Sequence, residues 1–232
     1  MITTVLPAYT LNEEIQKVTE EAIKSIGDVP LIVVDNASPM GGGWLRSKAT
    51  TYVRNSENLG FAKAVNQGIK LATTRYVAVV SNDVVASPNW QEVALEVLSD
   101  ASTFSCHFRM INYGIPFAYG DEISYTGRER WCTAAFFVLD REKGLFFDED
   151  FFNSFEDYDL FLRARKLGYK NAYTNKACFQ HHHSFTQRFT GFKGTEQNKE
   201  LFKKKHGEYA DILFAKEFPE QMKRDYWGGF DI

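Results

Sequence analysis

The chain has 232 residues, 44% hydrophobic and 25% charged, with a formal net charge of -3. That composition fits one generous globular domain or two small ones, each with a real core. It excludes the strongly basic balance of a nucleic-acid binder, and no apolar run approaches the roughly 20 residues of a membrane span. The three cysteines, Cys106, Cys132 and Cys178, are scattered and form no C-x-x-C pair. Neither a zinc knuckle nor a disulfide framework is suggested, which favours a reducing, cytoplasmic setting. The N-terminus, M-I-T-T-V-L-P-A-Y-T, lacks a basic region followed by a long apolar run. It is therefore not expected to be a signal peptide, and any membrane role would be peripheral, through a surface contact or a partner.

Residues 2–6 form a β-rich run ended by Pro7, a buried strand. Asn12 is placed to cap a helix whose stripe is Ile15, Val18, Ala22, Ile23 and Ile26. Pro30 introduces a second strand, L-I-V-V, which stops at Asp35-Asn36. Residues 39–43 form a glycine-rich loop, and 51–53 a third strand. Residues 59–73 are expected to be helical, with Ala62, Val65, Ile69 and Ala72 on one face. Residues 76–80 are another apolar run, ending in Ser81-Asn82-Asp83. Such alternation predicts a parallel sheet covered by helices on both faces.

The second half is less regular. A helix is expected over 88–98 and a central strand over 131–139. Residues 104–120 resist assignment because Asn112, Gly114 and Pro116 all favour turns. A loop over 144–152 leads into F-E-D-Y-D-L-F-L-R-A-R-K-L-G, where Leu160, Phe161, Ala164 and Leu167 keep helical spacing and Gly168 ends it. Two short strands, 171–174 and 177–179, precede His181-His182-His183. A polar helix follows over 196–206, with Lys203, Lys204, Lys205 and His206 as its solvated end. No repeat or low-complexity linker divides the chain. A single domain over 1–206 and a helical tail over 207–232, with a helix near 208–217, are expected.

In an open parallel sheet, ligands bind beyond the carboxyl ends of the strands. Pro7-Ala8-Tyr9, Asp35 and Asp83 all occupy such ends. A carboxylate at Asp35 can accept from a base N–H or a ribose hydroxyl, or it can be an ordinary turn acid. Asp83 offers the oxygen ligand that a hard divalent cation on phosphates requires, or again a turn aspartate. Three adjacent histidines after a strand suggest one metal ligand and two bystanders. Glu156, Asp157 and Asp159 suit the positive end of a helix dipole. Two adjacent acids behind Phe151-Phe152 exceed what a helix start needs, so one of them is a candidate general base.

Taken together, T-T-V-L-P-A-Y-T, L-I-V-V-D-N-A-S, N-L-G-F-A-K-A-V-N-Q-G-I-K-L-A-T-T-R-Y-V-A-V-V-S-N-D and G-L-F-F-D-E-D-F-F-N-S-F-E-D-Y-D-L-F-L-R-A-R-K-L-G-Y resemble a family 2 glycosyltransferase. The resemblance spans residues 2–206 and is closest to the rhamnosyltransferase-type subgroup of polysaccharide synthesis. It implies the α/β GT-A fold, Rossmann-like, with a mostly parallel central sheet flanked by helices. It also implies a role for each matching residue. Pro7, Ala8 and Tyr9 would line the base pocket, and Asp35 would hydrogen-bond the base. Asn58, Gly60, Lys63 and Asn66 would lie against the nucleotide-sugar, with Asn82 beside them. Asp83 would be the metal-binding acid of a D-x-D motif and His181 would complete a Mn2+ or Mg2+ site. Asp157 would be the catalytic base, with Glu156 beside it. The chain departs from the D-x-D pattern, because Ser81 stands where the first acid belongs.

The implied reaction is inverting transfer of a sugar from a UDP-, GDP- or dTDP-sugar to a hydroxyl of a glycan or other acceptor. Two other classes compete. One is a non-catalytic nucleotide-sugar binding module, against which the intact acid pair argues. The other is a metal-dependent hydrolase using the His triplet and nearby acids, for which no H-E-x-x-H motif is present.

Overall fold

Each apolar run of the N-terminal half is buried on both faces, and this follows from its place in the sheet. The computed structural model describes residues 1–125, 133–182 and 195–207. Strands β1 (Ile2–Ala8), β2 (Leu31–Asp35), β3 (Thr51–Arg54) and β4 (Tyr76–Val80) pair in parallel, β1 lying between β2 and β4. Parallel strands need crossovers, supplied by α1 (Glu13–Ser25), the short α2 (Gly43–Arg46) and α3 (Phe61–Leu71). The helices cover both faces, which is why β1, β2 and β4 read as near-continuous apolar runs, while the edge strand β3 is half-exposed. Helix α1 starts where expected: the Asn12 side chain accepts from the Ile15 N–H at 2.9 Å. Its acids Glu13 and Glu14 lie in the first turn and Lys24 in the last, matching the dipole.

The C-terminal half adds β5 (Val84–Ala86), α4 (Trp90–Val97), β6 (Thr103–Asn112), β7 (Ile123–Tyr125), β8 (Phe136–Asp140), α5 (Glu156–Lys166), β9 (Lys170–His181) and α6 (Thr195–His206). Across the sheet the order is β3-β2-β1-β4-β8-β6-β9-β5, with β7 on β9. Strand β8 runs antiparallel to both β4 and β6, so β6 and β9 regain the direction of β4. Two apolar clusters fill the two faces. One carries Trp90, Phe136 and Phe179, the other Phe104, Phe137 and Phe161. This is the expected GT-A type of α/β fold, in a sheet whose second half is mixed.

Several local expectations need correction. Pro7 does not end β1; it pairs opposite Val34. Its missing N–H is tolerated because pairing with β4 has already stopped at Val5. The stretch 104–120, with its three turn residues, begins within the ten-residue strand β6, which includes Asn112, and the chain turns only from Tyr113 onward. Residues 171–174 and 177–179 belong to one strand, β9, whose register against β6 shifts between Phe108 and Arg109. Short β5 and β7 carry too little pattern to read in advance. The basic run of α6 is not simply solvated: Lys205 bonds Asp148 and Asp150 at 2.5 and 2.7 Å, and His206 is buried. Cys106 and Cys178 are buried free thiols. Cys132, His183 and the expected tail over 207–232, beyond Gly207, lie outside the described residues.

Candidate active site

Topology gathers the candidate residues on one sheet edge. The carboxyl ends of β1, β2 and β4 point the same way, and β9 shares their direction. Strand β5 returns antiparallel to β9 with Val84 opposite His181. Asp83, just before β5, therefore meets His181 at the end of β9 although 98 positions separate them. Its Oδ1 lies 3.2 Å from His181 Nε2, and its carbonyl accepts from the His182 N–H at 3.0 Å. His182 instead stacks on Tyr113, with ring centroids 3.6 Å apart. Asn82 is turned toward α1, its amide donating to Thr19 Oγ1 at 3.1 Å.

At the end of β2, Asp35 is fully buried. Its Oδ1 accepts from the Ser38 N–H at 2.8 Å, and its Oδ2 from the Tyr52 hydroxyl at 2.6 Å and from Arg54. Burial by itself would raise this carboxyl. The donors on Ser38, Tyr52 and Arg54 outweigh burial and hold it below its ordinary range. A Cβ on Gly42 would strike the Tyr52 hydroxyl and the Asp35 carboxylate, so the glycine-rich loop admits this close approach. Ser38 Oγ in turn accepts from the Thr10 N–H at 2.9 Å, and the Ala8 carbonyl from the Asn36 N–H at 2.7 Å. The turns after β1 and β2 thus form one stitched unit holding Pro7, Ala8 and Tyr9. Tyr9 and Pro7 are half-buried and Ala8 is buried.

Asn36 extends the stitching. Its amide donates to Asn58 Oδ1 at 2.7 Å and to the Gly60 carbonyl at 3.2 Å; its oxygen accepts from Asn55 at 3.0 Å and the Leu59 N–H at 3.0 Å. Gly60 has φ 83, and a Cβ there would meet the Phe152 carbonyl. Only glycine combines that backbone with that contact. The Phe61 N–H donates to the same carbonyl at 2.9 Å. The loop after β3 is thereby clamped to the loop before α5. Asn66, expected against the sugar, is buried and holds that second loop instead. It donates to the Phe147 carbonyl and Glu149, each at 2.9 Å, and accepts from the Phe147 N–H at 3.0 Å. Lys63 is exposed on α3.

The acid pair opens α5. Glu156 is buried, and burial together with the neighbouring Asp157 pushes its carboxyl well above the ordinary range. Its Oε2 has no hydrogen-bond partner. Asp157 is half-buried, and desolvation raises it to about 6 against the opposing pull of backbone N–H groups, chiefly those of Tyr158 and Ala134. Tyr158 donates to Oδ1 at 2.9 Å and Ala134 to Oδ2 at 3.3 Å. The neighbouring Ala135 carbonyl accepts from the Ser81 N–H at 2.7 Å. Through this short bridge the acid pair sits beside the Ser81-Asn82-Asp83 turn. Asp159, the third acid, turns elsewhere: it is fully buried between Arg163, at 2.7 Å, and His206, at 2.8 Å.

Among the described residues no cluster of three or more histidines, cysteines or acids could hold an ion. Asp83 and His181 do bring an oxygen and an imidazole together. A pair of protein donors suits Mg2+ or Mn2+ that takes its remaining ligands from diphosphate oxygens and water. The residues therefore fit an ion that would need further ligands from outside the protein, rather than one caged by the protein.

Sequence reasoning missed Asn36, Tyr52, Arg54, Asn55 and Asn198. Asn36 follows Asp35 at a strand end, which was a usable signal. The others gave none, because their roles depend on partners distant in the chain.

The model of the family described as "Glycosyl transferase family 2" matches residues 3–193. The chain belongs to this family, and its α/β fold is the GT-A type. Among solved structures, S. aureus TarS residues 1–349 superpose with a TM-score of 0.63 at 14% identity, covering 96% of this chain and 68% of that one. Full TarS gives 0.64 at 14% identity, and this chain spans 45% of its length. The mannosyltransferase PcManGT from Pyrobaculum calidifontis, solved with GDP-Man and Mn2+, gives 0.66 at 17% identity, covering 92% of this chain and 70% of that one. At such identities the likeness is one of fold. No curated protein matches the chain.

Proposed function

We propose that the chain is an inverting glycosyltransferase. It would move a sugar from a UDP-, GDP- or dTDP-sugar to a hydroxyl of a glycan or other acceptor. The carrying observation is the acid pair: Asp157, raised to about 6, stands on the sheet edge that also holds the Asp83–His181 pair. Family membership supports the class of reaction. Neighbours in the same fold were solved with UDP, UDP-GlcNAc or GDP-Man, which supports a nucleotide-sugar donor. The rhamnosyltransferase-type subgroup rests on the quoted sequence segments alone. Among the described residues no helix is long and apolar enough to cross a membrane.

The chain's own residues have distinct tasks in this reading. The stitched turns holding Tyr9 and Asp35 receive the base. Asp83 and His181 would hold Mn2+ or Mg2+, which when bound neutralises charge on the diphosphate. Asp157 accepts the proton of the acceptor hydroxyl as that oxygen attacks the anomeric carbon from the face opposite the diphosphate. Inversion follows from that direction of attack. A base near 6 suits the task, being ionised at neutral pH yet basic enough to take a proton.

The test is a panel of nucleotide-sugars and simple acceptors, followed by nucleoside diphosphate release and by NMR of the product's anomeric centre. Inverted product, lost in excess chelator and lost in Asp157→Asn, is the expected result. Retention of configuration, or full turnover by Asp157→Asn, would sink the mechanism. Donor binding with no transfer to any acceptor would favour a binding module.

A further inference from the structure

The turn that delivers Glu156 and Asp157 to the edge is conformationally unusual. Ser154 and Phe155 are consecutive non-glycine residues in the left-handed region, with φ 74 and φ 65. A non-glycine residue there is strained and persists only when its surroundings over-determine it. Phe155 occupies the N-cap position of α5, and its side chain makes no capping bond. Something other than the helix start must hold the turn.

The holding group comes from α6. Asn198 is buried, and its amide nitrogen donates to the carbonyls of both Asn153 and Ser154, the latter at 3.0 Å. Two further contacts fix α6 at that distance. Phe202 is buried against Phe151, Phe155 and Leu162. His206 meets the fully buried Asp159 on α5 at 2.8 Å. One amide thus bridges the two peptide units just before the acid pair, on a helix docked at both of its ends.

We infer that Asn198 is a positioning residue for the acid pair: α6 braces the strained turn so that Asp157 is presented at the sheet edge in one orientation. A Gly-free strained turn with no cap of its own would otherwise relax toward ordinary backbone and carry the first turn of α5 with it. The Asp157 carboxylate would then lose its fixed place against Ala134. The functional part of this inference rests on the base role proposed for Asp157; the geometric part does not.

The test therefore carries two readouts. The first is the titration of Asp157, followed by carboxyl carbon NMR on aspartate-labelled protein and assigned with Asp157→Asn. In Asn198→Ala the midpoint is expected to fall from about 6 toward the ordinary value of about 4, because a loosened turn admits water. The second is transfer rate, expected to drop about 10–100-fold in kcat with donor KM little changed, as for a misplaced catalytic group. If Asn198→Ala fails to fold, Ser154→Gly is added, since glycine adopts the left-handed turn without strain. The double variant should regain the fold and part of the rate. An unshifted midpoint in a folded Asn198→Ala overturns the inference, as does failure of Ser154→Gly to restore a misfolded one. A shifted midpoint with unchanged transfer keeps the brace and removes Asp157 as the base.

Discussion

Asp35 and Asp157 are two acids on the same sheet edge, taken out of water to different depths, and they end in opposite electrostatic states. Asp35 closes the parallel half of the sheet, where Ser38, Tyr52 and Arg54 donate to it and hold it below the ordinary carboxylate range. Asp157 opens α5, where desolvation raises it to about 6 because the backbone N–H groups that donate to it only partly offset burial. Burial alone raises any carboxyl. The number and charge of the donors decide which way the balance falls. One acid is thereby held ionised within a hydrogen-bonded structure, while the other remains able to take a proton near neutral pH.

The largest effect should come from removing the second acid. Asp157→Asn keeps the shape and loses the basic oxygen, so transfer should fall about 10²–10⁴-fold while donor binding persists. The same variant should also change stability. Because the folded pKa lies above the unfolded one, wild-type protein gains from protonation below about pH 4 and loses that gain as pH rises through about 6. Asp157→Asn should therefore be more stable than wild type in urea melts at pH 8, with the difference closing near pH 4. A difference that widened toward low pH would contradict the raised carboxyl.

Asp35→Ala should act in the opposite sense. It removes charge-assisted bonds worth about 1.5–3 kcal/mol and weakens nucleotide binding along with the fold. Since the Asp35 carboxyl is held low, its contribution is present above its unfolded pKa and is lost as pH falls through the folded one. Calorimetric titration with nucleotides, paired with melts at pH 7 and in acid, checks both halves. Intact affinity in a folded variant would reduce Asp35 to a structural acid.

Gly60→Ala probes the clamp between the two halves. The new Cβ meets the Phe152 carbonyl in a left-handed backbone, so a loss of about 1–3 kcal/mol is expected from strain, read in urea unfolding. The smallest change should follow Glu156→Gln. It removes a buried carboxyl that is already held toward its neutral form, so transfer should drop by roughly tenfold or less. Equal losses in Glu156→Gln and Asp157→Asn would mean that the two acids act as one unit.

The parallel half was legible because its signals are local. Asn12 caps its own helix, and residues 31–34 and 76–80 are unbroken apolar runs followed by polar residues at the carboxyl ends of their strands. The mixed half was legible only in part. Thr103–Asn112 becomes a long strand that runs through Asn112 because β8 and β9 flank it on both sides. Asp159 sits in the same acidic cluster as Asp157, and its separate fate is decided by Arg163 and by His206, 47 residues away.

By itself, then, the sequence determined the alternation of strand and helix, the family and the residue types available at the strand ends. Those follow from periodicity, caps and the chemistry of single side chains. Tertiary structure decided what each acid does. It saturated Asp35, left Glu156 Oε2 without a partner, turned Asp159 toward α6 and set Asn66 against a loop. Protonation state and orientation depend on donors, charges and water within a few ångströms, and these come from segments far apart in the chain.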